Sequence, residues 1–125
     1  MIFLDRSIPK SVAEALKKVR NGDIRWLEDD FKHDEKDEVW IPEIGKREWL
    51  AVMRDKKIRT RLWQRELVKR YDVGCFILQQ KHDPTRWEYL KLFAGCLDEM
   101  ERLYSVTPRP FMFLIDSNRN FRQFF

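Results

Sequence analysis

The distribution of apolar residues divides the chain into alternating strands and helices. Residues 49–53 form an unbroken apolar run that stops at Arg54 and Asp55, and residues 1–4 form a similar run that stops at Asp5. Each run is too short for a typical helix and shows no polar alternation, which predicts a strand buried on both faces, as in a parallel sheet. Further strands are predicted at residues 24–27, 73–78 and 111–115.

The segments between these runs carry apolar residues at helical spacing. The predicted helices cover residues 9–20, 37–45, 56–71 and the segment from Pro84 to Pro108. Ser7 is expected to cap the first helix and Asp83 the last. Pro42 is expected in the first turn of the second helix, which would then begin late, because proline is tolerated only there. The buried side of the last helix is expected to carry Trp87, Leu90, Ala94, Leu97 and Tyr104.

Strands that alternate with helices predict an α/β fold with right-handed crossovers. The expected architecture has three layers, with a mostly parallel central sheet and helices on both faces. Residues 116–119 have turn chemistry, so residues 120–125 are expected to return as a C-terminal hairpin arm. A length of 125 residues fits a single domain over residues 1–125.

Composition and charge narrow the classes of function without choosing one. The net charge of +4 and the pI of about 9.2 are compatible with nucleic acid binding. No apolar run approaches the length of a membrane span, and the chain starts directly on a strand instead of a signal peptide. Cys75 and Cys96 lack metal-ligand spacing and are expected to be buried, reduced thiols, which indicates a cytoplasmic protein.

Three aspartates stand where chemistry is expected in such a sheet. Ligands of open α/β sheets bind just beyond the carboxyl ends of the strands, which is where Asp5 and Asp55 lie. If their strands are neighbours, about 4.8 Å apart, the two carboxylates face one small volume. Asp37 lies one turn before Trp40, on the apolar side of the second helix. Carboxylates so close repel one another unless a cation lies between them, and hard oxygen ligands suit Mg²⁺ or Mn²⁺.

These segments resemble a known family, the PIN-like nuclease domains, and especially the small proteins grouped with VapC-type toxins. The resemblance rests on MIFLDRSIPKSVAEAL, on DEVWIPEIGKREWLAVMRDKKIR and on the strand around GCFIL, and it covers roughly residues 1–80. It implies that Asp5, Asp37 and Asp55 are the catalytic, metal-binding acids. It also implies Mg²⁺- or Mn²⁺-dependent cleavage of RNA by the toxin of a toxin–antitoxin pair, with a protein antitoxin as partner.

Typical PIN nucleases use a fourth acid, and the sequence leaves its identity open. The candidates are Glu38, Glu66 and Asp116. Glu38 and Glu66 rank above Asp116, which is expected to serve the hairpin turn because aspartate is common in turns. Without a fourth acid the domain would be a weak or inactive nuclease.

A row of basic residues follows the third aspartate. It consists of Lys56, Lys57, Arg59 and Arg61. Directly after a strand-end acid, such a row suits the phosphate backbone of RNA, which proteins bind by charge and not by base identity. The alternative is a solvated helix face. His33 and His82 lie in charged loops and are assigned no role. The five tryptophans are spread over every element, which favours core packing over base stacking.

Two other functions compete with the nuclease. A phospho-acceptor receiver module also binds Mg²⁺ through strand-end aspartates, but it needs paired acids after the first strand and a lysine after the fifth. Here Arg6 follows Asp5, and Ser117 follows Asp116, so this class is disfavoured. The other is a PIN-like domain that has lost catalysis and only binds RNA or a protein. A homodimer is compatible with either PIN-like function.

Overall fold

A computed structural model of the protein describes residues 1–54 and 58–125, with the backbone alone for residues 58–61. The strands are β1 Ile2–Leu4, β2 Ile24–Trp26, β3 Leu50–Arg54, β4 Gly74–Gln79, β5 Phe111–Asp116 and β6 Phe121–Gln123. The helices are α1 Lys10–Val19, α2 Leu27–Asp30, α3 Asp37–Arg47, α4 Ile58–Arg70 and α5 Arg86–Val106. The alternation of strands and helices confirms the predicted α/β class.

The described strands form one six-stranded sheet in the order β2-β1-β3-β4-β5-β6. All neighbours are parallel except β6, which runs antiparallel to β5 and forms the predicted hairpin arm. Strands β1 and β3 pair directly, with Leu4 opposite Val52, as expected for the two apolar runs that precede aspartates. The chain leaves β1 on one side for β2 and returns on the other side for β3. This reversal of strand order opens a crevice at the carboxyl ends of β1 and β3, where ligands bind in open α/β sheets.

Each face of the sheet has its own apolar core. On one face, α1 and α5 pack over residues such as Leu4, Val52 and Phe76. On the other, α2, α3 and α4 cover the alternate residues, and the ring of Trp40 lies 5.1 Å from that of Phe3. Burial on both faces explains why the strands are apolar throughout. The helices on both faces confirm the predicted three-layer architecture.

The helix starts differ from the sequence-based expectations. Pro9 occupies the cap position of α1 without a side-chain bond, and Ser7 does not cap the helix. The N-cap of α5 is Thr85, two residues after Asp83. The Thr85 hydroxyl accepts a hydrogen bond from Glu88 N at 3.1 Å, and the Glu88 carboxylate accepts one from Thr85 N at 2.9 Å. This reciprocal pair is a capping box, which satisfies two backbone donors and thus fixes the start of the helix.

Pro42 lies inside α3, which begins at Asp37 and continues to Arg47. The expectation of a late start was therefore wrong. Proline in a helix interior removes one backbone hydrogen bond and costs about 3 kcal/mol or more. The full burial of Ile41 and Ile44 against the sheet offsets this cost.

The buried side of α5 is rotated from the predicted one. Its buried residues are Tyr89, Leu92, Phe93, Cys96, Leu97 and Met100. Trp87 is 66% exposed, and Trp63 on α4 is about half exposed, so core packing of all tryptophans was wrong. Cys75 and Cys96 are buried and free, as expected. Among the helices that the structure describes, none has both the length and the apolar character that a membrane crossing requires.

Candidate metal centre

Asp5 is buried at the carboxyl end of β1, with only 7% of its surface exposed. Its backbone N–H donates to the Val52 carbonyl at 3.2 Å, which continues the pairing of β1 with β3 by one residue. Its Oδ1 accepts hydrogen bonds from the Ser7 N–H, at 3.0 Å, and from the Ser7 hydroxyl. No described residue donates a hydrogen bond to Oδ2 of Asp5. Among the described residues, Oδ2 is therefore the Asp5 oxygen that can take a further ligand.

Ser7 connects the two strand ends. While its hydroxyl donates to Asp5, its Oγ accepts a hydrogen bond from the backbone N–H of Arg54 at 2.9 Å. The loop after β1 is thereby fixed to the last residue of β3. The sequence signal for this role is a hydroxyl two residues after a strand-end aspartate, and it was assigned instead to the cap of α1.

Asp37 approaches Asp5 from α3, which packs on the sheet face that α2, α3 and α4 cover. As the first residue of α3 it is partly buried, and its Oδ1 accepts a hydrogen bond from Trp40 Nε1 at 3.0 Å. The expected placement of Asp37 on the same side of the helix as Trp40 is thus confirmed. The two carboxylates are close enough for the charge of Asp37 to act on Asp5. The structure therefore brings together the first two predicted acids.

Both carboxyl groups are difficult to ionise in the protein without a cation. Burial raises the pKa of Asp5 from 3.8 to about 6, although its hydrogen bonds with Ser7 act in the opposite direction; nearby Asp37 adds to the rise and Arg6 opposes it. Burial also raises the pKa of Asp37, against the effects of Trp40, Arg6 and the buried Gln64 amide. Neighbouring acids with raised pKa values are typical of functional sites, where a cation restores the charged forms.

Arg6 is a basic side chain whose charge acts on both acids. Its guanidinium donates to the Glu35 carbonyl at 2.7 Å, and at 3.5 Å to the His33 carbonyl, which fixes the loop that leads into α3. This contact places Asp37 relative to β1. Because Arg6 is exposed, its charge compensates only part of the burial of the two acids.

Asp55, the third predicted acid, lies outside the described residues, as do Lys56 and Lys57. Arg59 and Arg61 belong to the start of α4, where the backbone alone is described. Arg54, the last described residue of β3, ends beside the loop that carries Asp5. The position of Asp55 in the site therefore stays a prediction.

The candidates for a fourth acid lie in three different places. Glu38 is exposed beside Asp37, and its charge raises the pKa of that residue slightly. Glu66 is exposed and lines a surface hollow on α4, whereas Gln64, two residues earlier and on the opposite side of that helix, is the residue that acts on Asp37. Asp116 accepts hydrogen bonds from the N–H groups of Asn118 and Asn120, as expected for a turn residue.

The donor set fits a hard divalent cation in chemical type. Within residues 1–54 and 62–125, no three His, Cys, Asp or Glu side chains lie close enough together to form a metal site. Asp5 and Asp37 supply two carboxylates, and the uncommitted Oδ2 of Asp5 is the oxygen ligand that Mg²⁺ or Mn²⁺ prefers. A complete site on this pair requires a further ligand, and Asp55 follows directly after β3.

The family model of the PIN-like domain matches residues 1–80. This chain belongs to the PIN-like domain family. The match identifies the family as a whole and not its VapC-type group. It includes β1 to β4 and all three predicted aspartates, while α5, β5 and β6 lie beyond it. No curated protein and no solved structure matches the chain.

On the α5 side of this PIN-like domain, Arg54 and Tyr89 lie near the end of β3. The Arg54 side chain is 11% exposed and donates to the Asp83 carboxylate and, at 3.1 Å, to the His82 carbonyl. Burial raises the pKa of the Tyr89 hydroxyl, which Arg54 opposes and Asp5 slightly reinforces. The end of β3 is thus bound to the loop before α5, and the crevice has a fixed wall.

Ser7→Ala is expected to weaken Mn²⁺ binding by about 10- to 100-fold, the usual effect of removing a residue that orients a metal ligand. The change removes the hydroxyl that holds Asp5 Oδ1 and leaves the Arg54 N–H unpaired, at a cost of about 1–3 kcal/mol in unfolding free energy. Calorimetric titration with Mn²⁺ measures the affinity. Ser11→Ala, at an exposed serine of α1, is the control, and equal affinities in both variants would contradict this role for Ser7.

Proposed function

We propose that this PIN-like domain is a Mg²⁺- or Mn²⁺-dependent endoribonuclease. The observation that carries the proposal is the convergence of Asp5 and Asp37 at the point where the strand order reverses, with one oxygen of Asp5 uncommitted and both pKa values raised. The PIN-like fold is a nuclease-type fold, and its family consists generally of nucleases. A pair of desolvated carboxylates whose charge Arg6 compensates only in part suits metal-assisted hydrolysis of a phosphodiester.

Each residue of the crevice then has a distinct role. Asp5, Asp37 and Asp55 would hold the cation, and Ser7 would keep Asp5 in its orientation. When bound, the cation supplies an activated water and stabilises the charge that develops on the phosphoryl oxygens. The basic residues that follow Asp55 would bind the RNA backbone on either side of the cleaved bond. They are Lys56, Lys57, Arg59 and Arg61.

We also propose that the protein is the toxin of a toxin–antitoxin pair acting in the cytoplasm, with a protein antitoxin as partner. The support is the resemblance of the sequence motifs within residues 1–80 to those of VapC-type toxins. The alternative is a PIN-like domain with weak or no catalysis. It is favoured by the placement of the fourth-acid candidates, because Glu38 is exposed and Glu66 lies on the far side of α4 from Asp37.

Cleavage of structured RNAs by the purified protein tests the proposal. The assay runs in Mg²⁺, in Mn²⁺ and in EDTA, with Asp37→Asn as the inactive variant and Asp98→Asn, at an exposed aspartate of α5, as the matched control. Cleavage that needs the metal and is lost only in Asp37→Asn supports the nuclease. RNA binding without cleavage in any metal would support the binding module instead.

Replacing Lys56 and Lys57 with alanine is expected to weaken RNA binding about equally for unrelated sequences. Phosphate contacts depend on charge, so the slope of log affinity against log salt should flatten by about 0.7 per lost contact. The cleavage pattern should be unchanged. The control is Lys18→Ala with Lys46→Ala, two exposed lysines near the C-terminal ends of α1 and α3. An unchanged slope in the Lys56–Lys57 variant would remove this row from the RNA path.

A further inference from the structure

The carboxyl edge of the sheet has a second opening beyond β4 and β5. It is a cavity of about 280 Å³, walled by the start of α5 and by the β5–β6 turn. The lining residues that matter here are Gln80, His82, Asp83, Glu88, Lys91 and Arg119. Of the residues that line it, all but Gln80 lie beyond residue 80 and therefore outside the part of the chain that matches the PIN-like family model.

Two acids and two cations line this cavity, and they differ in their partners within the protein. Of the two acids, Asp83 pairs with Arg54, and the Glu88 carboxylate accepts the Thr85 N–H in the capping box. Lys91 and Arg119, by contrast, have no ion-pair partner among the described residues. The hydrogen bonds with Thr85 and, to a smaller extent, the charge of Lys91 lower the pKa of Glu88, so Lys91 is partly compensated and Arg119 is the cation more open to an external anion.

Arg119 is held at the cavity by a glycine. A Cβ at position 95 would lie 2.5 Å from Nη1 of Arg119 and 3.0 Å from its Cζ, so the guanidinium rests directly on the backbone of α5. Gly95 lies in the interior of a 21-residue helix, where glycine is less favourable than alanine. Glycine at this position therefore makes the helix less stable than alanine would. It also leaves the space that the Arg119 guanidinium occupies.

Gln80 adds a polar group that is poorly satisfied. Its Nε2 donates to the Ile115 carbonyl at a long 3.4 Å, and its Oε1 is buried with no hydrogen-bond partner among the residues that the structure describes. Buried polar atoms without partners are rare in proteins. An amide with one weak bond can turn towards a ligand at little cost, so Gln80 suits a hydroxyl or a base edge beside the anion.

The cavity and the aspartate pair lie on the same edge of the sheet. Two to three strand spacings separate β1 from β4 and β5, or about 10–15 Å. Arg54 connects them, because it ends β3 next to the Asp5 loop and binds the residues His82 and Asp83 that wall the cavity. A strand of nucleic acid can span this distance along the edge.

We propose that this cavity binds one phosphate group of the RNA strand whose scissile phosphate lies at the aspartate pair. Arg119 and Lys91 bind the phosphate by charge-assisted hydrogen bonds, and Gln80 contacts the attached ribose or base. The assignment rests on the proposed nuclease function and places the rest of the RNA across β4 and β5. Binding of an acidic protein segment is the competing use of the same charges.

The test is RNA binding in EDTA, where no metal-dependent cleavage occurs. Lys91→Ala with Arg119→Ala is expected to lower affinity for a single-stranded RNA about tenfold or more at 50 mM salt, and to flatten the salt slope by about 0.7, the value for the one phosphate contact that is lost. Lys18→Ala with Lys46→Ala removes the same charge elsewhere and is expected to bind like the wild type. Circular dichroism melting confirms that each variant is folded.

Gly95→Ala tests whether the position of the Arg119 guanidinium matters, because it leaves the charge of Arg119 in place. The added methyl group displaces the Arg119 guanidinium, so affinity should fall severalfold while the melting temperature stays equal or rises. If the wild type cleaves RNA but both cavity variants bind RNA as tightly as it does, the cavity assignment fails and the nuclease stands. If the wild type binds no RNA, both the cavity assignment and the proposed nuclease function fail.

Discussion

Asp5→Asn is expected to abolish metal-dependent cleavage of RNA and, in the absence of metal, to make the protein more stable at pH 8. The loss of activity should exceed the 10- to 100-fold effect of removing a residue that only orients a ligand, because Asp5 is itself the proposed ligand. The gain in stability follows from the buried carboxylate, whose ionised form is disfavoured by burial and by the nearby Asp37.

The size of the stability effect follows from the pKa of Asp5. A rise from 3.8 to about 6 corresponds to roughly 3 kcal/mol between the two charge states. The stability from this raised pKa is fully present below about 3.8 and is lost as the pH rises through about 6, so the ionised wild type is the less stable protein at pH 8. Asparagine carries no charge and keeps an oxygen that can accept the hydrogen bonds from Ser7.

Urea unfolding in EDTA at pH 8 measures the stability difference, and the cleavage assay in Mn²⁺ measures the activity. Asp98→Asn is the matched control, since it removes an exposed charge of the same kind and should change neither quantity. A clear loss of stability in metal-free Asp5→Asn would mean that the charge-assisted hydrogen bonds with Ser7, and not the desolvation of the carboxylate, dominate at this position.

The sheet could be predicted from the sequence because its central strands are buried on both faces. Such strands cannot alternate polar and apolar residues, so β1 and β3 appear as continuous apolar runs that end at charged residues. Their pairing followed from the alternation of strands and helices. The hairpin arm was visible because Asp116 begins a turn, and its carboxylate holds that turn by accepting two backbone N–H groups.

Local signals failed where two of them competed. Asp83-Pro84 and Thr85-x-x-Glu88 are both plausible helix starts, and the second is the one in the structure. Asp83 instead forms an ion pair with Arg54. This contact joins distant segments of the chain, so no local sequence pattern predicts it. Similarly, the aromatic Trp87 suggested a buried side for α5, yet the face from Tyr89 to Met100 is the one that packs on the sheet.

The sequence indicated the two described acids of the candidate site, but not the residues that hydrogen-bond to them. Asp5 was marked by its place at a strand end, and Asp37 by its spacing from Trp40, which proved to be its hydrogen-bond partner. Ser7 was missed because its hydroxyl was assigned to the cap of α1, and Gln64 was missed because it acts through a tertiary contact. Gln64 is a polar residue on a basic helix without a periodic signal, and only the packing of α4 brings it to Asp37.

Mn²⁺ is expected to raise the melting temperature strongly at pH 8 and only weakly at pH 5. The pKa values of Asp5 and Asp37 are raised, so both acids bind protons more tightly when folded, and the metal-free protein loses their contribution as the pH rises through this range. Mn²⁺ binds the ionised carboxylates and restores that stability. At a concentration of 100 times its dissociation constant it adds about 2.7 kcal/mol, or roughly 10 °C in a protein of this size.

Melting curves at pH 5 and pH 8, with EDTA or with Mn²⁺, give the four temperatures required. Groups whose pKa is lowered, such as Asp23 and Asp29, are already ionised at pH 5 and contribute little to the difference. Comparison with Asp5→Asn removes the contribution of the remaining groups, because they are common to both proteins. Asp37→Asn should respond to Mn²⁺ much less than the wild type at pH 8. An equal rise in these two proteins would mean that Asp37 is not a ligand. The cation would then be held by Asp5 together with residues outside α3.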